Sequence, residues 1–270
     1  PSRAMLLWPR TLACLGRLGL AGELRSHPAA RLRAALHLGR RVVGVALAEL
    51  AAPGGSGPPL MVRQADLEAV LRRAVLARGI PMLTGAELVG LDLDGDGATA
   101  TVHMVAAAAS PTTREVTCRF VVGCDGADSA VRHLAGISWR GRTYPEEAVL
   151  ADLDADDLPT STAHIGAGRA GIGFLFPAGE HGADWRLVAT RLSRAAGAPP
   201  GRDGPALQVD ELQAVLSGAN LPGRVTAIRW STRVRLQRRR AGAYRVGPVF
   251  LAGDAAHVFS PAGAQGLNTG

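Results

Sequence analysis

PVFLAGDAAHVFSPAGAQGLNTG, residues 248–270, decides the reading of this chain. Val249 to Ala252 form a short apolar run, which predicts a buried strand. The strand ends in Gly253-Asp254. A Pro-Gly loop follows, containing Pro261, Gly263, Ala264, Gln265 and Gly266, and a helix is predicted to begin near Leu267. Backbone N–H groups at such a helix start favour an anion or a developing negative charge. The small residues Ala255, Ala256, Gly263 and Gly266 leave room for a flat ring to lie against the backbone.

The same pattern occurs earlier, in RFVVGCDGADSAVR at 119–132. An apolar strand delivers Cys124-Asp125-Gly126 to its carboxyl end, and a helix follows, closed by Gly136. In open α/β sheets that edge is where ligands bind. Asp125 offers an acceptor for a sugar hydroxyl, and Asp128 or Ser129 offers a helix cap. A plain strand–turn–helix with Asp125 as a cap is the alternative reading.

Working outward, residues 9–25 predict a short Leu-rich helix broken near Gly19, and 39–50 a strand leaving the first domain. Residues 64–78 predict an amphipathic helix with Leu67, Val70, Leu71, Ala74 and Val75 on one face and Gly79 as its stop. Ile80 to Leu83 is a candidate strand. Residues 87–106 alternate on both sides of an Asp-Gly turn, the pattern of a hairpin. The hairpin also explains Asp92, Asp94 and Asp96 better than a calcium loop does, because no bidentate Glu follows at the right place. From about 146 to 232 the texture changes to strand-like stretches with one helix, VDELQAVLSGA. Phe174, Phe176 and Trp185 fall on those strands, as an aromatic wall or as plain core. The expected fold class is therefore α/β: a nucleotide-binding domain carrying a second, sheet-based domain.

Composition narrows the function. The chain has 270 residues, 47% hydrophobic and 20% charged, which excludes a disordered chain. The net charge is +7, carried by Arg without any Lys. Only Arg238, Arg239 and Arg240 form a run, so the excess is read as spread over solvated faces. Aromatics are 4%, too few for stacking platforms, and no nucleic-acid partner is expected. Three scattered cysteines, Cys14, Cys118 and Cys124, without a C-x-x-C pair fit a reducing cytoplasm. No apolar run reaches the ~18 residues of a membrane span. No metal-binding or G-x-S-x-G pattern occurs, and His257 reads as a packed residue rather than a base.

The two strand–Gly–Asp segments resemble the fingerprints of the FAD-dependent aromatic hydroxylases, single-component flavoprotein monooxygenases of the para-hydroxybenzoate hydroxylase type. LAGDAAHVFSPAGAQGLNTG most resembles the actinobacterial polyketide hydroxylases and rifampicin-type monooxygenases. SRAMLLWPRTLACLGRLGL (2–20) and RQADLEAVLRRA (63–74) extend the resemblance over nearly the whole chain. It implies a Rossmann-like FAD-binding domain of the glutathione-reductase type with an inserted β-sheet substrate domain. The implied boundaries are 1–145 for FAD binding (40–62 crossing toward the substrate domain), 146–232 for the substrate sheet, and 233–270 for the return.

Position by position, the resemblance implies that Asp254, after Gly253, bonds the FAD sugar-alcohol chain. Pro261 and the backbone of Gly266, Leu267 and Asn268 would line the isoalloxazine ring, with the helix start stabilising charge at the flavin N1–C2=O edge. Gln64 would contact the pyrophosphate or ribityl region, and Arg3 would reach the cofactor. Arg10 is a lesser candidate. Asp125 and Gly126 belong to the motif linked with FAD and the nicotinamide coenzyme, and Arg132 would buttress that loop. The family's GxGxxG loop is absent, as is the far side of the GLNTG helix, so the chain reads as a fragment, expected to be inactive by itself. PAGAQG departs from relatives with two adjacent glycines only at Ala264.

The implied activity is monooxygenation. NADPH or NADH reduces FAD, O2 adds at flavin C4a, and the hydroperoxide oxygen passes to a small aromatic substrate, polyketide-like or phenolic. A flavin-dependent reductase or dehydrogenase on the same fold, and a non-catalytic remnant, are the alternatives. Hydroxylation versus Baeyer–Villiger oxidation and the oligomeric state stay open.

Overall fold

The computed structural model describes residues 6–25, 33–46, 57–95, 97–104, 112–159, 161–169, 171–177, 182–192, 202–260 and 266–269. In chain order, β1 (Leu6–Leu7), α1 (Pro9–Arg17) and α2 (Ala21–Arg25) precede β2 (Arg33–Leu38), β3 (Arg41–Ala46), β4 (Leu60–Met61) and α3 (Gln64–Ala77). Then come β5 (Ala86–Asp94), β6 (Gly97–Met104), β7 (Thr112–Cys118), β8 (Val121–Gly123) and α4 (Ala130–Leu134). β9 (Trp139–Asp156), β10 (Thr162–Gly168), β11 (Gly171–Pro177) and β12 (Trp185–Leu192) lead to α5 (Val209–Gly218) and β13 (Arg224–Ala241). The last elements are β14 (Arg245–Val246), β15 (Val249–Leu251), β16 (His257–Val258) and α6 (Gly266–Thr269). This mixture of helices with parallel and antiparallel strands is the α/β class expected from the sequence.

The chain packs as two units. Residues 1–75, 143–236 and 261–268 form the first, and 76–142, 237–260 and 269–270 the second. In the first unit, Pro9 opens α1, where its missing N–H is harmless, and Gly19 (φ 78°) breaks the helix before α2. The leucines of α1 and α2 pack with Leu7, Leu60, Val62, Leu67 and Val70, so α3 buries the face its spacing predicts.

The large sheet of this unit runs β13-β9-β12-β11-β10-β2-β3. All of its pairings with a described register are antiparallel except β10–β2, which is parallel. One face is sealed by α5: Leu212, Val215 and Leu216 pack on Val149, Ala151, Leu153, Leu175, Trp185 and Leu187. Gly166 and Gly168 make that contact possible. A Cβ on either would sit 2.2 Å from the carbonyl oxygen of Ala219 or Gly218. The opposite face carries Phe174, Phe176 and Val188 against Met61 and Ala163.

In the second unit, β8 and β15 are parallel neighbours, with β14 antiparallel on β15. Val131 of α4 joins Val249, Leu251, Ile137, Ala241 and Ala255 in their core. Gly123 allows α4 to approach, since a Cβ there would lie 2.8 Å from the Val131 Cβ. The hairpin β5–β6 turns at Gly95 (φ 52°) and acquires β7 as a third strand.

One expectation needs correction. Ile80–Leu83 is not a strand; Ile80, Met82 and Leu83 are exposed, and among the described residues no strand pairs with them. Of the two readings of Trp185, plain core holds, since it is 1% exposed under α5.

Candidate functional site

In the second unit the two Gly-Asp motifs meet. β8 and β15 run side by side in the same direction, in the register Val121–Val249, Val122–Phe250 and Gly123–Leu251. Both chains therefore leave the sheet at its carboxyl edge, and the Ala252 N–H donates to the Gly123 carbonyl at 2.9 Å just beyond. Asp125-Gly126 and Gly253-Asp254 emerge next to each other. Their glycines take left-handed conformations, Gly126 at φ 86° and Gly253 at φ 59°, which non-glycine residues adopt only under strain. A Cβ added at either would meet nothing within 4 Å, so the space above both turns is open.

The two carboxylates differ. Asp125 Oδ2 accepts the Val131 N–H at 3.0 Å, while Ser129 Oγ accepts the Arg132 N–H at 3.0 Å as the helix cap. Asp125 thus does cap α4, and its side chain remains exposed. Asp254 sits in a 3₁₀ turn (Gly253–Ala255), is exposed, and has no side-chain partner among the described residues.

Arg132 ties the motifs together. It is 7% exposed, yet its guanidinium donates to the Ala255 carbonyl at 3.0 Å and to the Ala127 carbonyl at 2.7 Å. It also lies 3.9 Å over the Trp139 ring. Burial lowers its pKa from the ordinary value, Asp125 and Asp128 push it back up, and Arg239 adds to the lowering.

The remaining candidates lie in the first unit. Gln64 is the first residue of α3, and its Nε2 donates to Glu68 Oε1 at 2.7 Å. Gly266, Leu267 and Asn268 fall in α6, a single turn. A Cβ on Gly266 would meet nothing within 4 Å. Asn268 is anchored: Oδ1 accepts from the Trp8 N–H and from Thr11 Oγ1, each at 2.8 Å, and Nδ2 donates to the Leu6 carbonyl at 2.8 Å. The side chain bonds residues 6 and 8 as a neighbouring strand would, which its expected role as a backbone contact did not suggest. Arg3 and Pro261 lie outside the described residues.

Sequence reasoning missed one buried pair in the first unit. Arg186 (1% exposed) and Asp152 (0%) bond twice, Nε–Oδ1 at 2.5 Å and Nη2–Oδ2 at 2.7 Å. They face each other across β12 and β9 on the side of the sheet away from α5, and Arg186 lies 5.4 Å from the Trp230 ring. The signal was a charge inside each of two apolar runs, AVLADL and DWRLVATRL.

Comparison with known proteins bears on this geometry. A family model described as "FAD binding domain" matches residues 1–270. The chain is 30% identical over 273 residues to 6-methylpretetramide 4-monooxygenase of Streptomyces rimosus, covering 100% of this chain and 46% of that protein. It is 31% identical over 286 residues to a flavin-dependent monooxygenase of Mycobacteroides abscessus, covering 99% and 56%. Among solved structures it resembles the anhydrotetracycline hydroxylase OxyS of Streptomyces rimosus, with a TM-score of 0.68 and 27% identity over 99% of this chain and 51% of that one. The chain thus spans about half the length of the curated relatives it matches.

Proposed function

This chain belongs to the FAD-binding-domain family, and from that premise we propose that it is the cofactor-holding part of an NAD(P)H-dependent monooxygenase that hydroxylates an aromatic, polyketide-like or phenolic substrate. The observation that carries the reading is the parallel register of β8 and β15, which puts Asp125 and Asp254 at one sheet edge. The residues present fit FAD. Two left-handed glycines leave open space, and two exposed carboxylates stand ready to accept sugar hydroxyls. Relatives named as monooxygenases of pentachlorophenol, of 12-dehydrotetracycline and anhydrotetracycline, and of rifampicin support the substrate class.

FAD, when bound, supplies the redox chemistry that activates O2. The chain's residues do the rest. Asp254 and Asp125 orient the ribityl and ribose hydroxyls, and Arg132 holds both turns in register. Gln64 and Arg3 contact the phosphate or ribityl region, while Pro261, Gly266, Leu267 and Asn268 border the ring. We assign 1–145 and 233–270 to the FAD-binding part, with 40–62 crossing toward the substrate domain, and 146–232 to the substrate sheet, to which β2 and β3 add two strands. There Phe174, half-buried with its ring parallel to that of buried Phe176 at 6.1 Å, adds an apolar surface on the side of the sheet away from α5. A cytoplasmic location fits Cys14, Cys118 and Cys124, all free. Among the described residues no helix is long and apolar enough to cross a membrane.

The test uses the full-length polypeptide carrying this sequence. It should purify with, or take up, FAD and show visible flavin absorbance. It should consume O2 and NAD(P)H in step with formation of a hydroxylated aromatic product. NAD(P)H oxidation without oxygen incorporation would replace the proposal with a reductase, and failure to take up flavin would remove it.

A further inference from the structure

The buried ion pair of the first unit gains a role from its neighbours. Val149, Ala151 and Leu153 of β9, and Trp185, Leu187 and Ala189 of β12, lie in the core under α5. Side chains alternate along a strand, so Leu150, Asp152, Arg186 and Val188 point to the opposite face. On that face the register sets Phe176, Arg186 and Asp152 in one row and Phe174, Val188 and Leu150 in the next. β13 adjoins β9 and contributes Trp230, which joins Leu150 and Val188 in one apolar cluster. The Trp230 ring lies 5.4 Å from the Arg186 guanidinium carbon, so the two side chains meet above β9.

An ion pair sealed from water is a costly way to join two strands, and apolar residues of similar size often serve as well. The pair supplies something that apolar residues do not. Two hydrogen bonds to Asp152 fix the plane of the Arg186 guanidinium. A fixed planar cation holds in turn the aromatic ring that lies against it. Trp230, Val188 and Phe174 are each half-buried, so each keeps part of its surface open to a ligand. From Phe174 on β11 to the ring above β9 is two strand spacings, about 10 Å. A single phenol ring touches one of these aromatic surfaces at a time. A flat molecule of about three fused rings touches both at once, by stacking on one or the other edge of the same row.

We propose that Trp230 is a specificity-determining residue, an aromatic anchor that selects fused polycyclic substrates over single-ring phenols. Asp152 and Arg186 act through Trp230 and are its positioning residues. The inference rests on the reading that this sheet carries the substrate. All of these residues lie in the first unit.

The test is equilibrium titration of the full-length protein with phenol, 1-naphthol and 1-hydroxyanthraquinone, which have one, two and three rings. Trp230→Leu should weaken the three-ring compound about tenfold, the worth of one aromatic stacking contact, and phenol less than about twofold. Trp230→Phe should recover part of the loss. Thermal melting checks that each variant is folded at the temperature of titration. The paired change Asp152→Leu with Arg186→Met keeps the strands joined. It should still weaken the three-ring compound about as much as Trp230→Leu does, and alter the near-ultraviolet circular dichroism of the tryptophans. Added to Trp230→Leu, it should weaken binding little further, because both changes remove the same contact. Equal weakening of phenol and the three-ring compound by Trp230→Leu, or weakening of neither, overturns the inference. Losses that add in full in the triple variant overturn the positioning role of the pair. A parent that binds none of the three compounds would instead remove the reading of this sheet as the substrate's.

Discussion

Replacing Arg132 by Met removes the pin between the two Gly-Asp turns while keeping much of the side-chain volume. Two charge-assisted hydrogen bonds disappear, to the carbonyls of Ala255 and Ala127. Each is worth about 1.5–3 kcal/mol, and the carbonyls are left short of a donor. Loss of the contact with Trp139 adds about 0.5–2 kcal/mol, which the Met sulfur partly returns. Removing a buried, lowered-pKa cation recovers some desolvation. The expected net cost is about 3–5 kcal/mol, a large share of the roughly 5–15 kcal/mol that holds a domain folded. Urea unfolding followed by circular dichroism measures it. Arg132→Met should lower the midpoint at unchanged slope, and Arg132→Lys, able to reach one carbonyl, should lose about half as much. FAD affinity should fall in the same order. A variant within about 0.5 kcal/mol of the parent, in the range of ordinary surface changes, would refute the reasoning.

The buried pair of the first unit behaves differently when broken than when replaced. Asp152→Asn leaves Arg186 charged and buried and should cost about 3–5 kcal/mol in the same unfolding assay, whereas the double change Asp152→Leu with Arg186→Met should cost much less; equal losses would contradict this. His164, 5% exposed and 3.0 Å from the His37 ring nitrogen, is pushed down to about 4 by burial first and by His37 second. A lowered histidine pKa means that the unfolded chain binds the proton first. Stability should therefore be flat above pH 6.5 and fall by about 3 kcal/mol between 6.5 and 4. His164→Asn should flatten that slope, and a slope that survives would assign it to other groups.

What the sequence made legible follows from local chemistry. The Asp-Gly hairpin, the amphipathic helix ending at Gly79 and both strand–Gly–Asp turns announce themselves through residues whose conformational needs are strong. β10 was not visible, because TAHIGAG has little strand propensity. Its glycines are there to admit the last turn of α5, a reason that lies some fifty residues away in the chain. β7, TTREVTC, is exposed along nearly its whole length and carries no alternation to read. Ile80–Leu83 is apolar enough for a strand but has no edge to join, and pairing partners are not written in a local stretch.

The site divides in the same way. Asp125 and Asp254 could be read from the sequence because each follows an apolar strand, whereas the part played by Arg132, on α4, came only from the family resemblance. The carboxamide of Asn268, bonded to residues some 260 positions earlier, could not. Nor could the meeting of Asp152 with Arg186, which is decided by strand order.

Equilibrium titration of FAD into the full-length protein, its Asp254→Asn form and its Asp125→Asn form puts the central idea to the hardest trial. The two carboxylates are taken to grip the same dinucleotide, so each isosteric change should weaken binding at least tenfold, about 1.4 kcal/mol, with one flavin bound per chain in the parent. Undiminished affinity in both variants, or a parent that takes up no flavin, would contradict it.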